Sequence, residues 1–109
     1  MLKEIILKTL LMCTNDRELP PGTLVLHFKH EEDDCICTHL YIIERYVKDC
    51  ETSEEKVIYR NVVDNNVWIR NRKEFESLVD KEKYPNIKQK YRFVKVNDIN
   101  ASEVKNGSN

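Results

Sequence analysis

Between residues 23 and 96, short runs in which apolar and polar residues alternate are separated by polar turns. Alternation with a period of two is typical of strands that bury one face. The pattern predicts five strands, at residues 24–28, 40–47, 57–63, 67–70 and 90–96. The third and fourth are joined by Asp64, Asn65 and Asn66, which readily adopt the left-handed conformations of a tight hairpin. We therefore expect an antiparallel sheet.

The N-terminal segment has a helical rather than an alternating pattern. Residues 2–13 place five side chains on one helical stripe, namely Leu2, Ile5, Ile6, Leu10 and Cys13. This spacing predicts a short amphipathic helix. A strand is the alternative, because the β-branched pair Ile5 and Ile6 also favours extended structure. Such a helix packs on the sheet or serves as a contact for a partner. The Pro-Pro-Gly sequence at residues 20–22 ends regular structure before the first predicted strand.

A second helix is predicted between the fourth and fifth strands. Asn71 is followed at the third position by Glu74, which is the form of a helix N-cap with its reciprocal acid. The helix would run from residue 72 to about residue 80, with Phe75, Leu78 and Val79 as its buried stripe. Capping at Asn71 would satisfy amide groups of the first turn.

These elements predict a mainly β (α+β) fold, a small five-stranded antiparallel barrel or bent sheet of SH3-like form. Residues 1–22 are an N-terminal extension, residues 23–96 are the β domain, and residues 97–109 lack an apolar cluster and are expected to be disordered. A chain of 109 residues buries about two-thirds of its extended surface. That is enough for one core without disulfides or metals.

Composition narrows the classes of function. The chain has 18 Lys and Arg against 19 Asp and Glu, so its formal net charge of -1 argues against binding nucleic acid by bulk charge. No apolar run exceeds four residues, which is far too short for a membrane span, and residues 1–4 do not resemble the start of a signal peptide. We expect a cytoplasmic protein in which Cys13, Cys35, Cys37 and Cys50 are reduced.

The charges are nevertheless distributed unevenly along the chain. Residues 30–55 hold nine acids and two bases, whereas residues 56–96 hold eleven bases and five acids. The split could form two oppositely charged faces. It could equally be neutralised if neighbouring strands pair acids with bases.

Several short motifs resemble a known family. They are His27-Phe28-Lys29, Leu40-Tyr41, Glu51-Thr52 with Glu54, Val57-Ile58-Tyr59, Trp68-Ile69-Arg70 and Phe75. In this order they are similar to the family called domain of unknown function 1653, whose members are short bacterial and phage proteins. The resemblance implies a compact, mostly β fold and no assigned activity. The chain departs from the pattern in a longer loop at residues 30–38, in Asp49 where members commonly have His, and in Asn71 where they usually have Pro.

The acidic loop at residues 30–39 is the first candidate site. It holds two cysteines, two histidines and four acids, which are ligand types that zinc prefers. The Cys-x-Cys spacing of Cys35 and Cys37 lacks the gaps of a zinc knuckle, so a solvated hairpin loop without metal is favoured. A nucleophilic cysteine beside His39 is less favoured still, because acidic surroundings raise the pKa of a thiol.

The second candidate site combines aromatic rings with cations. It consists of Trp68, Arg70, Arg60, Arg92, Lys29 and Tyr59. Planar rings and guanidinium groups can stack a base and grip a phosphate. The structural alternative, which the sequence favours, is a Trp68 mostly buried in the core and arginines paired with Glu51, Glu54 or Glu55. If an anion binds, we expect Arg70 and Arg60 to hold it, with Lys81, Lys83, Lys88 and Lys90 solvated.

His27 alternates with Leu26 and Phe28, and a histidine hydrogen-bonded to a carboxylate or backbone group is expected there. The chain has no glycine-rich phosphate loop, because Gly22 and Gly107 are its only glycines. We therefore predict a non-catalytic binding module without cofactor or metal. A phage or mobile-element protein that binds and blocks a host protein is the first hypothesis, and a binder of nucleotides or single-stranded nucleic acid is the alternative.

Overall fold

A computed structural model describes residues 11–33 and 35–98 of the chain. Its elements, in chain order, are β1 at Leu11–Thr14, β2 at Leu24–His27, α1 at His30–Asp33, a 3-10 turn at Cys37–His39, β3 at Leu40–Lys48, β4 at Glu55–Asn61, β5 at Val67–Asn71, α2 at Arg72–Phe75 and β6 at Phe93–Asp98. Of the helices in these ranges, none has the length and apolar composition that crossing a membrane requires.

The strands form one antiparallel sheet in the order β1-β6-β2-β3-β4-β5. The prediction of a mainly β, antiparallel fold is confirmed. The strand number was wrong, since the described residues form six strands rather than five, and the sheet is open rather than a closed barrel. β1 and β5 lie at opposite edges and do not pair with each other. The SH3-like form stays a prediction.

The pairing register sorts side chains onto two faces of the sheet. The front face carries Tyr59 opposite Trp68, Val57 opposite Arg70 and His27 opposite Phe93. The back face carries Leu26 opposite Val94 and Arg60 opposite Val67. Because successive side chains of a strand point to opposite faces, one strand contributes to both.

A separate core packs on each face. The front core consists of Leu19, Val25, Ile43, Val57, Tyr59, Phe75 and Phe93. Its rings are in direct contact: Phe75 stacks on Phe93 with centroids 4.0 Å apart, and Tyr59 meets both rings at 5.1 and 5.5 Å. The back core consists of Leu26, Ile36, Leu40, Val94 and Val96. Phe28, Val79 and Ile87 form a third cluster, through which the segment between α2 and β6 is anchored.

The N-terminal helix prediction was wrong at its C-terminal end. Residues 11–14 form β1, which pairs with β6 so that Cys13 lies opposite Val96 and Thr14 opposite Lys95. The ladder satisfies backbone groups of both strands, which outweighs the weak helical periodicity of a short segment. Residues 1–10 lie outside the described residues. β6 continues to Asp98, so the prediction that disorder begins at residue 97 was wrong, and residues 99–109 also lie outside the description.

The helix after β5 is much shorter than predicted. Its N-cap is confirmed, because the Asn71 side chain accepts a hydrogen bond from the Lys73 amide at 3.0 Å. The helix ends at Phe75, since residues 77–79 pair with residues 90–92 through the Leu78 and Tyr91 bridge instead. Phe75 and Val79 are buried as expected, but Leu78 is 54% exposed.

Candidate ligand-binding site

The front face continues beyond its core into a cavity of about 480 Å³. Five of the six residues predicted for the aromatic and cationic site line this cavity: Lys29, Tyr59, Trp68, Arg70 and Arg92. They come from four separate parts of the chain, and the sheet brings them together. A volume of this size is typical of small-molecule sites, which range over roughly 300–1,000 Å³.

Strand alternation explains how the residues converge. Trp68 and Arg70 lie on the same face of β5, and Tyr59 on β4 lies directly opposite Trp68. Lys29 comes two residues after the end of β2, and Arg92 immediately precedes β6, the strand that pairs with β2. The ends of two strand pairs therefore meet around one cavity.

Arg60 does not belong to this site, so that prediction was wrong. It follows Tyr59 directly and therefore points to the back face. There its Nε donates to Glu44 Oε1 at 2.7 Å and its Nη1 donates to Asn65 Oδ1 at 2.9 Å. Its guanidinium group is held by back-face partners rather than facing the cavity.

Trp68 is not buried in the core, contrary to the prediction. Its side chain is 50% exposed because β5 is the edge strand of the sheet. The stacked rings of Phe75 and Phe93 already fill the front core. The half-exposed indole instead lines the cavity.

Arg70 and Arg92 are held by the same carboxylate. Arg70 Nη1 donates to Glu74 Oε1 at 2.7 Å, and Arg92 Nη1 lies 3.7 Å from the same oxygen. Arg70 Nε also donates to the Tyr59 hydroxyl at 3.2 Å. The acids that pair with these arginines thus differ from the predicted Glu51, Glu54 and Glu55. Arg92 Nε is buried and has no hydrogen-bond acceptor among residues 11–33 and 35–98.

His27 lies at the floor of the cavity in its neutral form. Burial first, and then the nearby charges of His39, Arg70, Lys29 and Arg92, together lower its pKa from 6.5 to about 3. Its Nδ1 accepts a hydrogen bond from the Lys29 amide at 3.1 Å, which confirms the expected bond to the backbone. The proton of the neutral ring therefore resides on Nε2, which is a hydrogen-bond donor.

The wall opposite β5 contains residues that the sequence did not indicate. Lys83 and Tyr84 line the cavity, and the ammonium groups of Lys83 and Lys29 lie 5.6 and 5.8 Å from the centre of the Tyr84 ring. Lys83 is exposed, as predicted, but it also borders the cavity. Lys81 donates to the backbone oxygens of Ile87 and Gln89. No periodicity marks residues in such a loop, so only the fold could reveal this wall.

The cavity has an excess of positive charge. Lys29, Lys83, Arg70 and Arg92 line it, and among the described lining residues Asp80 is the single carboxylate. A concave site lined by one sign of charge concentrates oppositely charged ligands, although the chain as a whole is close to neutral.

The acidic loop is held together by side-chain contacts of Asp33. His39 Nε2 lies 2.6 Å from Asp33 Oδ2, and the Cys35 amide donates to Asp33 Oδ1 at 3.1 Å. The bond to His39 holds the pKa of Asp33 below its usual value. Within the described part of the chain, no group of three His, Cys, Asp or Glu residues is arranged to hold a metal ion. His39 instead lines the cavity.

Outside the cavity, the uneven charges along the sequence are partly neutralised between neighbouring elements. Arg60 on β4 pairs with Glu44 on β3, and Arg72 pairs with Glu55 at 2.9 Å and with Glu76 at 3.2 Å. Of the four cations that line the cavity, Arg70 and Arg92 share the Glu74 carboxylate, so the excess positive charge there is partly compensated.

These features define a class of protein: a small open β-sheet with a basic, aromatic cavity between one sheet face and a loop. Residues 24–95 match the model of a family described as a protein of unknown function, DUF1653, and the chain belongs to that family. The match spans every residue that lines the cavity. No curated protein and no solved structure matches the chain.

Proposed function

We propose that this chain is a non-catalytic binding module whose cavity takes an anionic ligand with a planar ring, such as a nucleotide or a nucleic-acid end. One observation carries the proposal. Three motifs that resemble the family, His27-Phe28-Lys29, Val57-Ile58-Tyr59 and Trp68-Ile69-Arg70, are far apart in sequence, yet each contributes residues to this one cavity.

The chemistry of the lining fits such a ligand. The half-exposed Trp68 ring offers a face on which a base can stack, a contact worth about 1–3 kcal/mol per base. Arg70 and Arg92 offer fork-shaped donors for a phosphate, and Arg70 is already oriented by Tyr59 and Glu74. Neutral His27 adds a donor that does not need to be protonated.

The same residues favour binding over acid–base catalysis. A general base works best when its pKa lies near the working pH, whereas the pKa of His27 is lowered to about 3. Asp80 is the one carboxylate among the described lining residues, so no pair of lining acids divides the roles of acid and base.

Fluorescence of the single tryptophan provides a direct test. Adding adenosine monophosphate at low salt is expected to quench Trp68 saturably, and moderate salt is expected to weaken binding. Arg92→Ala should reduce affinity about tenfold or more, since charged hydrogen bonds to phosphate are lost. Arg72→Ala is the matched control, because Arg72 pairs with Glu55 and Glu76 and does not line the cavity. If nucleotides and short single strands produce no quenching of Trp68 and no heat of binding, the proposal is contradicted.

A second candidate function is docking of a host protein, as first expected from the sequence. It is supported by exposed apolar side chains at the β5 edge: Val63, Val67 and Ile69 are 57%, 58% and 62% exposed. Edge strands with exposed apolar residues are common sites of protein association. A double Val67→Ser, Ile69→Ser variant would lose a partner recovered by wild type from a bacterial lysate, whereas Arg92→Ala would keep it. Loss of that partner only in Arg92→Ala would contradict this candidate.

A further inference from the structure

We propose, building on the proposed function, that the ligand is a mononucleotide, a single base joined through its sugar to one terminal phosphate, and that a continuous nucleic-acid strand is excluded. Three features of the cavity carry this choice: the spacing of Trp68 and Arg70, the buried floor, and the acids beside the cavity.

Trp68 and Arg70 provide one stacking position and one phosphate position. They are two residues apart on the same face of β5, about 6.6 Å along the strand. A sugar can span that distance between a base on the indole and a phosphate on the guanidinium group. Arg92 lies beside the same phosphate position, because it shares the Glu74 oxygen with Arg70. Two guanidinium groups suit the dianionic charge of a terminal phosphate.

The floor of the cavity is closed by the core. Phe93 and Tyr59 line the cavity and are only 1% and 4% exposed. On the far side, Lys83 and Tyr84 form a wall above the sheet. The site therefore has a buried floor and a side wall, and its volume of about 480 Å³ is in the range of small-molecule sites.

Acidic residues lie beside the cavity. Glu74 pairs with both Arg70 and Arg92. Lys83 and Tyr84, which line the cavity, also border a shallow depression lined by Glu31 and Glu32. The Glu31 carboxylate is fixed there by the amides of Lys88 and Gln89, both at 2.8 Å. Single-strand binders instead have a basic groove that follows the backbone, so a strand leaving this cavity would meet like charge.

The test compares four probes on the full chain by calorimetry and Trp68 fluorescence. They are adenosine monophosphate, adenosine, inorganic phosphate, and a short oligoadenylate without terminal phosphates. We expect the monophosphate to bind about tenfold or more tighter than adenosine and tighter than phosphate, because only it uses both positions. The oligoadenylate should bind more weakly than the monophosphate.

The outcomes separate this inference from the proposed function. Tighter binding of the oligoadenylate than of the monophosphate would overturn the inference and leave the proposed function intact. Equal affinities for adenosine and its monophosphate would contradict the claim that Arg70 and Arg92 bind the phosphate, and would overturn the inference. If none of the four probes binds, both proposals fail.

A charge variant tests the exclusion of strands. Glu32→Gln should improve oligoadenylate affinity by about twofold or more and leave the monophosphate unchanged, because it removes a charge on the exit path. Glu18→Gln is the matched control, since Glu18 is also exposed but does not line the cavity. Unchanged oligoadenylate affinity in Glu32→Gln would show that this acid does not exclude strands and would overturn that step.

Discussion

The two faces of the β4 and β5 hairpin show how neighbouring residues acquire different roles. On the front face, Arg70 bonds to Tyr59 and Glu74 and lines the cavity. On the back face, Arg60 pairs with Glu44 on the surface. The two arginines lie on adjacent strands and have the same chemistry. Their environment differs because one face is covered by a further segment of the chain.

The covering segment, residues 72–92, encloses the cavity on the front face of the sheet. It places Phe75, Tyr84 and Arg92 over that face. The back face at the same strands has no comparable cover among the described residues, and Val67 and Ile69 are exposed there. Whether an arginine lines a cavity therefore depends on which face the chain folds over, and not only on residue type.

The largest expected effect contrasts the covered and uncovered faces. Phe75→Ala should lower the free energy of unfolding by about 3–5 kcal/mol, because Phe75 is fully buried against Phe93 and Tyr59. Ile69→Ala on the back face should change it by about 0.5 kcal/mol or less. Urea denaturation followed by circular dichroism measures both. Similar losses for the two variants would mean that the faces are not differently covered.

Buried His27 gives the front face a pH dependence. Its folded pKa of about 3 is below the ordinary value of 6.5, so the unfolded chain binds a proton that the folded chain does not. Its contribution is complete above pH 6.5 and falls by up to about 1.4 kcal/mol per pH unit as pH decreases toward about 3.

Denaturation curves between pH 6.5 and about 4 test this slope. His27→Asn is the comparison, since its side-chain oxygen can accept the Lys29 amide without titrating. An identical slope in the variant would contradict the buried, neutral imidazole.

Asn71 sits where the hairpin meets the covering segment. Asn71→Ala should cost about 0.5–2 kcal/mol, because it removes the acceptor for the Lys73 amide and the bond to Glu54. Asn71→Ser should retain an acceptor for the Lys73 amide and lose less. Thermal unfolding of both variants is sufficient, and equal stability of Asn71→Ala and wild type would contradict the cap.

The smallest effect on stability is expected at Trp68. Trp68→Ala should cost about 1 kcal/mol or less, since half of the side chain is exposed at the sheet edge. It should nevertheless reduce nucleotide affinity measured by calorimetry, because the stacking surface is lost. A loss of stability as large as that of Phe75→Ala would restore the interpretation of Trp68 as a core residue.

Strand alternation predicted most of the sheet. β2, β3, β4, β5 and β6 lie close to the five expected strands, because period two is a local property of the sequence. β1 was missed because its stability comes from pairing with β6, which lies far away in sequence. The helix was predicted too long because the pairing of residues 77–79 with 90–92 is equally non-local.

The candidate site was predicted only in part, because local alternation indicates some of its residues and non-local packing determines the others. Trp68 and Arg70 share a strand face, which the sequence indicates directly. Alternation also places Arg60 and Tyr59 on opposite faces of β4. The sequence prediction grouped the site residues by chemistry alone and overlooked this. Lys83 and Tyr84 had no sequence signal, and the exposure of Trp68 depends on how far the covering segment reaches.

The central claim, that the front face binds an anionic ligand and the back face does not, is tested most directly by titrating adenosine monophosphate against two matched variants. Arg70→Ala is predicted to lower affinity about tenfold or more, whereas Arg60→Ala should stay within about twofold of wild type. Equal losses in both variants, or a loss only in Arg60→Ala, would contradict the account.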